Sequence, residues 1–174
     1  MVDPELGAVL QSQLALIEPS VTLFGDYAFP CAAMLKDGTL LNCVYFVPAT
    51  VFRRRSGSDR PSGPGVLWVS LQDVASIHQS PARLPARFAN ELYKTGESGM
   101  DYYVFTVQFS WWRSCEYVTP YVDFIDYPQG KGPLDIRRVL PHVGNRKVAP
   151  PKSQLKIYWC VFASSASMEP EQST

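Results

Sequence analysis

From Asp101 to Asp126 the chain reads DYYVFTVQFSWWRSCEYVTPYVDFID. Tyr103, Phe105, Val107, Phe109 and Trp111 are apolar, and Thr106, Gln108 and Ser110 between them are polar. A period of two marks an extended strand with one face on a core. A second strand-like run, Cys115–Ile125, follows a short break. In a regular strand Trp111 and Trp112 would point to opposite faces, one into the core and one out of it.

Other segments carry the same signal. Val21–Phe24 is a short apolar run ending at Gly25-Asp26. Phe29–Leu35 and Leu40–Val47 flank Lys36-Asp37-Gly38-Thr39, and Asp-Gly between two apolar runs predicts a hairpin because both residues tolerate positive φ. The run LLNCVYFV is apolar on both faces apart from Asn42, as in a central strand covered on both sides. Val66–Leu71, Asp73–His78 and Leu155–Ala163 read as further strands, whereas Asp135–Leu140 fits either a helical turn or a short strand.

Two segments follow helical spacing instead. Asp3-Pro4-Glu5 supplies a cap, a proline suited to the first turn and a favourable charge. Leu6, Val9, Leu10, Leu14 and Ile17 then share a face, and Pro19 ends the run. After Ser80-Pro81, Leu84, Phe88 and Leu92 recur every four residues. Pro85 belongs at the start of that helix and Gly96 at its end. Phe52–Gly65, FRRRSGSDRPSGPG, has no apolar period and predicts a mobile basic surface loop over 52–65.

Together these elements predict a β-rich α+β fold: a strongly bent antiparallel sheet or small, partly open barrel of about seven strands, with an N-terminal and an inserted helix. One globular domain over 1–163 and a disordered polar tail over 164–174 are expected. The order strand, Asp-Gly turn, strand, basic loop, strand over Phe29–His78 loosely resembles the beginning of an SH3-like or Sm-like small barrel. The inserted helix departs from that pattern.

Composition narrows the function classes. The formal net charge is zero, so no chain-wide attraction to nucleic acid or anionic lipid is expected. The N-terminus lacks a basic segment, and Gln11, Ser12 and Gln13 interrupt its apolar residues, so neither a signal peptide nor a membrane span is expected; the expected location is cytoplasmic. Cys31, Cys43, Cys115 and Cys160 lie far apart, each in an apolar context, and read as reduced thiols packed like small hydrophobes.

Reactive groups are sparse. His78 and His142 form neither an HxH nor an HExxH pattern, and no phosphate-binding glycine motif is present, so no metal, cofactor or catalytic residue is assigned. His78 reads as a backbone hydrogen-bonding residue before the second helix. Cys115, His142 and Asp123 could in principle form a nucleophilic site, given the right geometry.

Two surfaces remain as candidates. Trp111 and Trp112 with Tyr117 and Tyr121 would make an aromatic patch of the residue types that anchor interfaces. Arg53, Arg54, Arg55 and Arg60, with Trp68 across the loop, could grip phosphates and stack bases. The expected function is therefore a non-enzymatic interaction protein that buries its aromatic hairpin in a protein partner or homodimer interface, the arginine loop contributing charge at the rim. A nucleic-acid-binding small barrel using the arginine loop is the alternative. A small hydrolase with a Cys/His site is the second.

Overall fold

The computed structural model describes residues 4–22, 25–57, 67–99, 102–142 and 155–163. The fold is α+β and β-rich, with a mixed six-stranded sheet, a separate three-stranded antiparallel sheet and three α-helices among the described residues.

The Asp-Gly hairpin organises the larger sheet. Strands β2 (Tyr27–Leu35) and β3 (Leu40–Pro48) pair antiparallel around it. Gly38 sits at φ +87°, where a side chain would be strained, and the Asp37 carboxylate accepts the Thr39 N–H at 2.8 Å. The register slips by one between Cys31↔Val44 and Ala33↔Leu41, a β-bulge. The carbonyl of Asn42, inside that bulge, accepts the Ser80 hydroxyl at 2.5 Å.

Two short strands share the other edge of β2. Strand β1 (Ser20–Val21) pairs with Tyr27 and Ala28, and β5 (Val74–His78) with Ala32–Leu35. Helix α1 (Ala8–Leu14) packs on β5, and the Gln13 side chain accepts the Ile77 N–H at 2.9 Å. Beyond β3 lie β9 (Tyr158–Phe162) and then β4 (Leu67–Trp68). Helix α2 (Ala49–Ser56) leaves β3, and the chain returns as β4, with β9 filling the slot between and running parallel to both.

The sheet is therefore mixed, not antiparallel as expected. Side-chain alternation is the same for either strand direction, so only topology separates them. Nine strands are described instead of about seven, split between the two sheets, and among the described residues neither sheet closes into a barrel.

The start of the expected basic loop is helix α2. Val51 and Phe52 are buried and Arg53 and Arg54 exposed, an amphipathic turn that ends at Gly57 with φ +66°. Residues 58–66, with Arg60, lie outside the described residues, as does the tail 164–174. The first helix starts later than Asp3-Pro4-Glu5 suggests, with Gly7 at its N-cap, and Val9 turns outward, 66 % exposed, instead of joining the buried face.

The smaller sheet is built on the period-two segment. Strand β6 (Tyr103–Gln108) lies between β7 (Ser114–Thr119) and β8 (Arg138–Pro141). Phe105, Val107 and Phe109 face inward as the alternation predicts, onto Leu84, Ala89 and Leu92 at and within α3 (Ala86–Thr95). That helix begins after Pro85 and stops at Gly96, as expected. Asp135–Leu140 combines both expected forms, ending a 3-10 turn (Pro133–Asp135) and entering β8.

Each sheet has its own hydrophobic core. Between the cores, Arg83 bridges Phe124, Leu84 N–H donates to Asp123 O at 2.8 Å, and Ile125 N–H donates to Ala82 O at 3.0 Å.

Candidate interaction surface

The two tryptophans occupy the end of the β6–β7 hairpin. The last ladder pair is Gln108↔Ser114; beyond it the Phe109 N–H donates to Arg113 O at 2.9 Å. Ser110, Trp111 and Trp112 form the apex. An apex residue has no sheet beneath it, so the alternation ends at Phe109. Trp111 is 75 % exposed and Trp112 88 % exposed. The expectation that one of the pair would be core is thus corrected.

A basic rim surrounds them. The Arg137 N–H donates to Gln108 O at 2.9 Å, which carries the start of β8 alongside the tip. The Arg137 guanidinium lies over the Trp111 ring, 4.5 Å from its centroid, a cation–π contact worth about 0.5–1 kcal/mol at an exposed site. Arg113 and Arg138 are also exposed, and Arg138 donates to the Gln108 side chain at 2.6 Å. The two segments that meet here, residues 108–114 and 136–138, hold three arginines and no carboxylate.

Tyr117 and Tyr121 do not join this patch. Tyr117 stacks on Phe105 at 5.6 Å on the core side of the small sheet, and its hydroxyl donates to Asp126 O at 2.8 Å. Burial pushes its phenol above the usual tyrosine range. Tyr121, in the connection after β7, packs against the larger sheet's core, where it meets Tyr45 at 5.7 Å and Trp159 at 5.5 Å.

The other candidate surface is partly dismantled. Arg54 is tied to Asp26, through Nε at 2.9 Å and Nη2 at 2.5 Å. Arg53 is exposed on α2, Arg55 belongs to the same helix, and Trp68, 40 % exposed, lies opposite Trp159 on the ladder. Phe52 packs against Trp159 at 6.2 Å, so α2 and the Trp68–Trp159 pair adjoin.

The conjectured nucleophilic constellation is not assembled. His142 Nε2 meets Thr106 Oγ1 at 2.7 Å and Glu116 at 3.6 Å, and Thr106 and Glu116 are a ladder pair on one face. Cys115 belongs to the next pair, with Val107, and points to the opposite face. Burial pushes the thiols of Cys43 and Cys160 up to about 12, and raises that of Cys31, so these three are poor nucleophiles. His78 contacts Ser76 Oγ at 2.7 Å on its own strand rather than backbone near α3.

Asp123 has a different role, which sequence reading missed. It is 1 % exposed, and one of its oxygens accepts the Ser20 hydroxyl and Arg83 Nη1, the latter at 2.6 Å. The other accepts the Tyr45 hydroxyl at 2.7 Å and the Tyr93 hydroxyl at 2.5 Å. Arg83 Nη2 donates to Ser20 Oγ at 2.7 Å, which closes the ring. With four donors on a buried carboxylate, the group ties together the segments that meet around it. Burial and the adjacent Asp123 charge raise the Tyr45 phenol well above its usual value, so it stays a donor. The one legible signal was a lone carboxylate in the apolar run Tyr121–Ile125.

No described helix is long and apolar enough to cross a membrane. Among the described residues no group of three or more His, Cys, Asp or Glu could hold a metal ion. Comparison with protein-family models, curated proteins and solved structures finds no match to this chain, so its functional reading rests on the geometry above.

Proposed function

We propose that this chain is a non-enzymatic binding protein that inserts the Trp111–Trp112 tip of its β6–β7 hairpin into a protein partner. The observation that carries this reading is the exposure of both indoles at one apex. Fully covering a tryptophan removes about 150–250 Å² from water, on the order of 4–6 kcal/mol per ring. A hairpin tip is convex, which suits insertion into a concave site on a folded partner better than the tracking of a nucleic-acid strand along a groove. Tip-to-tip pairing of two copies is disfavoured, because it would bring Arg113 and Arg137 against their own symmetry mates. The same reading takes the compartment to be the cytoplasm, in keeping with four unbridged cysteines.

A photoreactive phenylalanine analogue in place of Trp112, in cells that make the protein, tests this. The expected result is one dominant protein adduct, lost on Trp111→Ala and absent when the analogue replaces Gln79 on the larger sheet's side. Equal labelling from both positions would refute it.

A second reading draws on the packing of α2, which carries the exposed Arg53, through Phe52 onto Trp159, the ladder partner of the part-exposed Trp68. It is single-stranded nucleic-acid binding on a small barrel-like sheet. Affinity for a single-stranded oligonucleotide that falls steeply with salt and is lost on Trp68→Ala would support it. No binding at low salt would remove it.

A further inference from the structure

Resting on the hairpin tip as the docking site, we infer that the partner is an acidic protein surface, with carboxylates rimming an apolar pocket, and that Arg137 is the residue that selects it. The argument is charge complementarity at one end of the small sheet. Arg113, Arg137 and Arg138 converge there on Trp111 and Trp112, and no ion pair joins any of the three to a described carboxylate. Two acidic residues close by in sequence or on the ladder have other partners. Asp135 accepts the Gly132 N–H at 2.8 Å and Lys131 at 3.4 Å, and Glu116 faces His142 two ladder positions away. A chain with zero net charge has therefore concentrated positive charge beside the most exposed aromatic pair among the described residues.

Arg137 differs from the other two in being held against an indole, whereas the Arg138 guanidinium is turned to the Gln108 side chain. Its backbone is pinned to Gln108 and its guanidinium lies on the Trp111 ring. One face of that indole is thereby covered and the planar fork is ordered before binding. Such a fork matches a carboxylate in two parallel hydrogen bonds, which a lysine cannot reproduce. Trp112, without this cover, is the ring that enters the pocket, and Arg137 meets the rim.

The test uses the full chain with the photoreactive analogue at position 112 and identifies the cross-linked peptide by mass spectrometry. Arg113→Glu with Arg137→Glu should lower adduct yield about tenfold or more. Replacing a carboxylate next to the cross-linked peptide by lysine should restore it in that charge-reversed variant only. Arg137→Lys should lose part of the yield although charge is kept. Arg113→Gln with Arg137→Gln, a milder change at the same exposed positions, is read alongside to guard against loss of fold.

An adduct whose yield ignores both substitutions, or a contact surface without carboxylates, would overturn the inference and leave the binding reading standing. An adduct to a second copy would also overturn the inference alone, whereas an adduct to nucleic acid, or co-sedimentation with phosphatidylserine vesicles in place of a protein adduct, would overturn the protein-partner reading with it. Failure to form any adduct at position 112 would instead overturn the binding reading itself.

Discussion

Asp123 and Trp112 each reverse the usual placement of their residue type, and only one reversal is explained by the fold. Asp123 is a charge 1 % exposed, and Trp112 a large apolar ring 88 % exposed. The carboxylate is matched by Ser20, Arg83, Tyr45 and Tyr93, drawn from β1, β3, α3 and the connection between the two cores. Its burial is costly but accounted for, as a ring of polar groups that fixes how the two sheets meet. The described fold shows no such compensation for Trp112, which is why the proposed reading places the partner at the surface tip and not at the buried network.

The largest effect that would sharpen this contrast is at Asp123. Asp123→Ala leaves Arg83 buried without its counter-charge and should cost about 3–5 kcal/mol in urea unfolding. Tyr45→Phe removes one hydrogen bond to the same carboxylate and should cost about 1.5–3 kcal/mol. A loss below about 0.5 kcal/mol for Asp123→Ala would mean that the network does not hold the cores together.

An intermediate effect belongs to the Asp-Gly hairpin. A Cβ on Gly38 would touch nothing within 4 Å, so Gly38→Ala should cost only the left-handed backbone strain, about 1–2 kcal/mol. At Asp37, hydrogen bonding from Thr39 lowers the carboxyl pKa below its ordinary value of 3.8. A depressed folded pKa contributes stability that is present above the unfolded value and lost as pH falls through the folded one. The Thr39 amide signal in NMR should therefore stay constant through neutral pH and shift only in acid below the ordinary carboxylate range. A midpoint at or above 3.8 would contradict the hydrogen bond.

The smallest stability effect should be at the tip. Trp112→Ala should change unfolding free energy by less than about 0.5 kcal/mol, and Trp111→Ala by no more than about 1 kcal/mol because it also loses the Arg137 contact.

Local patterns were legible where local physics decides. The period of two placed Phe105, Val107 and Phe109 inward, Asp37-Gly38 located the hairpin, and Pro85 and Gly96 bracketed α3. The same pattern misled at Trp111, because Ser110-Trp111-Trp112 carries no glycine, asparagine or proline to announce a turn. Phe52–Gly65 reads as a loop because its arginines are mixed with Gly, Ser and Pro and show no apolar period, yet arginine suits a helix and Phe52 packs on Trp159. What remained hidden was non-local. Strand β9 between β3 and β4, and the convergence of Ser20, Arg83 and Asp123, depend on chain segments far apart in sequence. The basic rim was out of reach for the same reason, since Arg137 meets Trp111 only once β8 has paired with β6.

The most direct measurement compares one double variant, Trp111→Ala with Trp112→Ala, against the native chain by urea unfolding and by cross-linking from a photoreactive group placed at the exposed Ser114. Near-native stability together with loss of the partner adduct is the outcome expected of a tip dedicated to recognition. A stability loss approaching that of Asp123→Ala, or an adduct that survives undiminished, would contradict it.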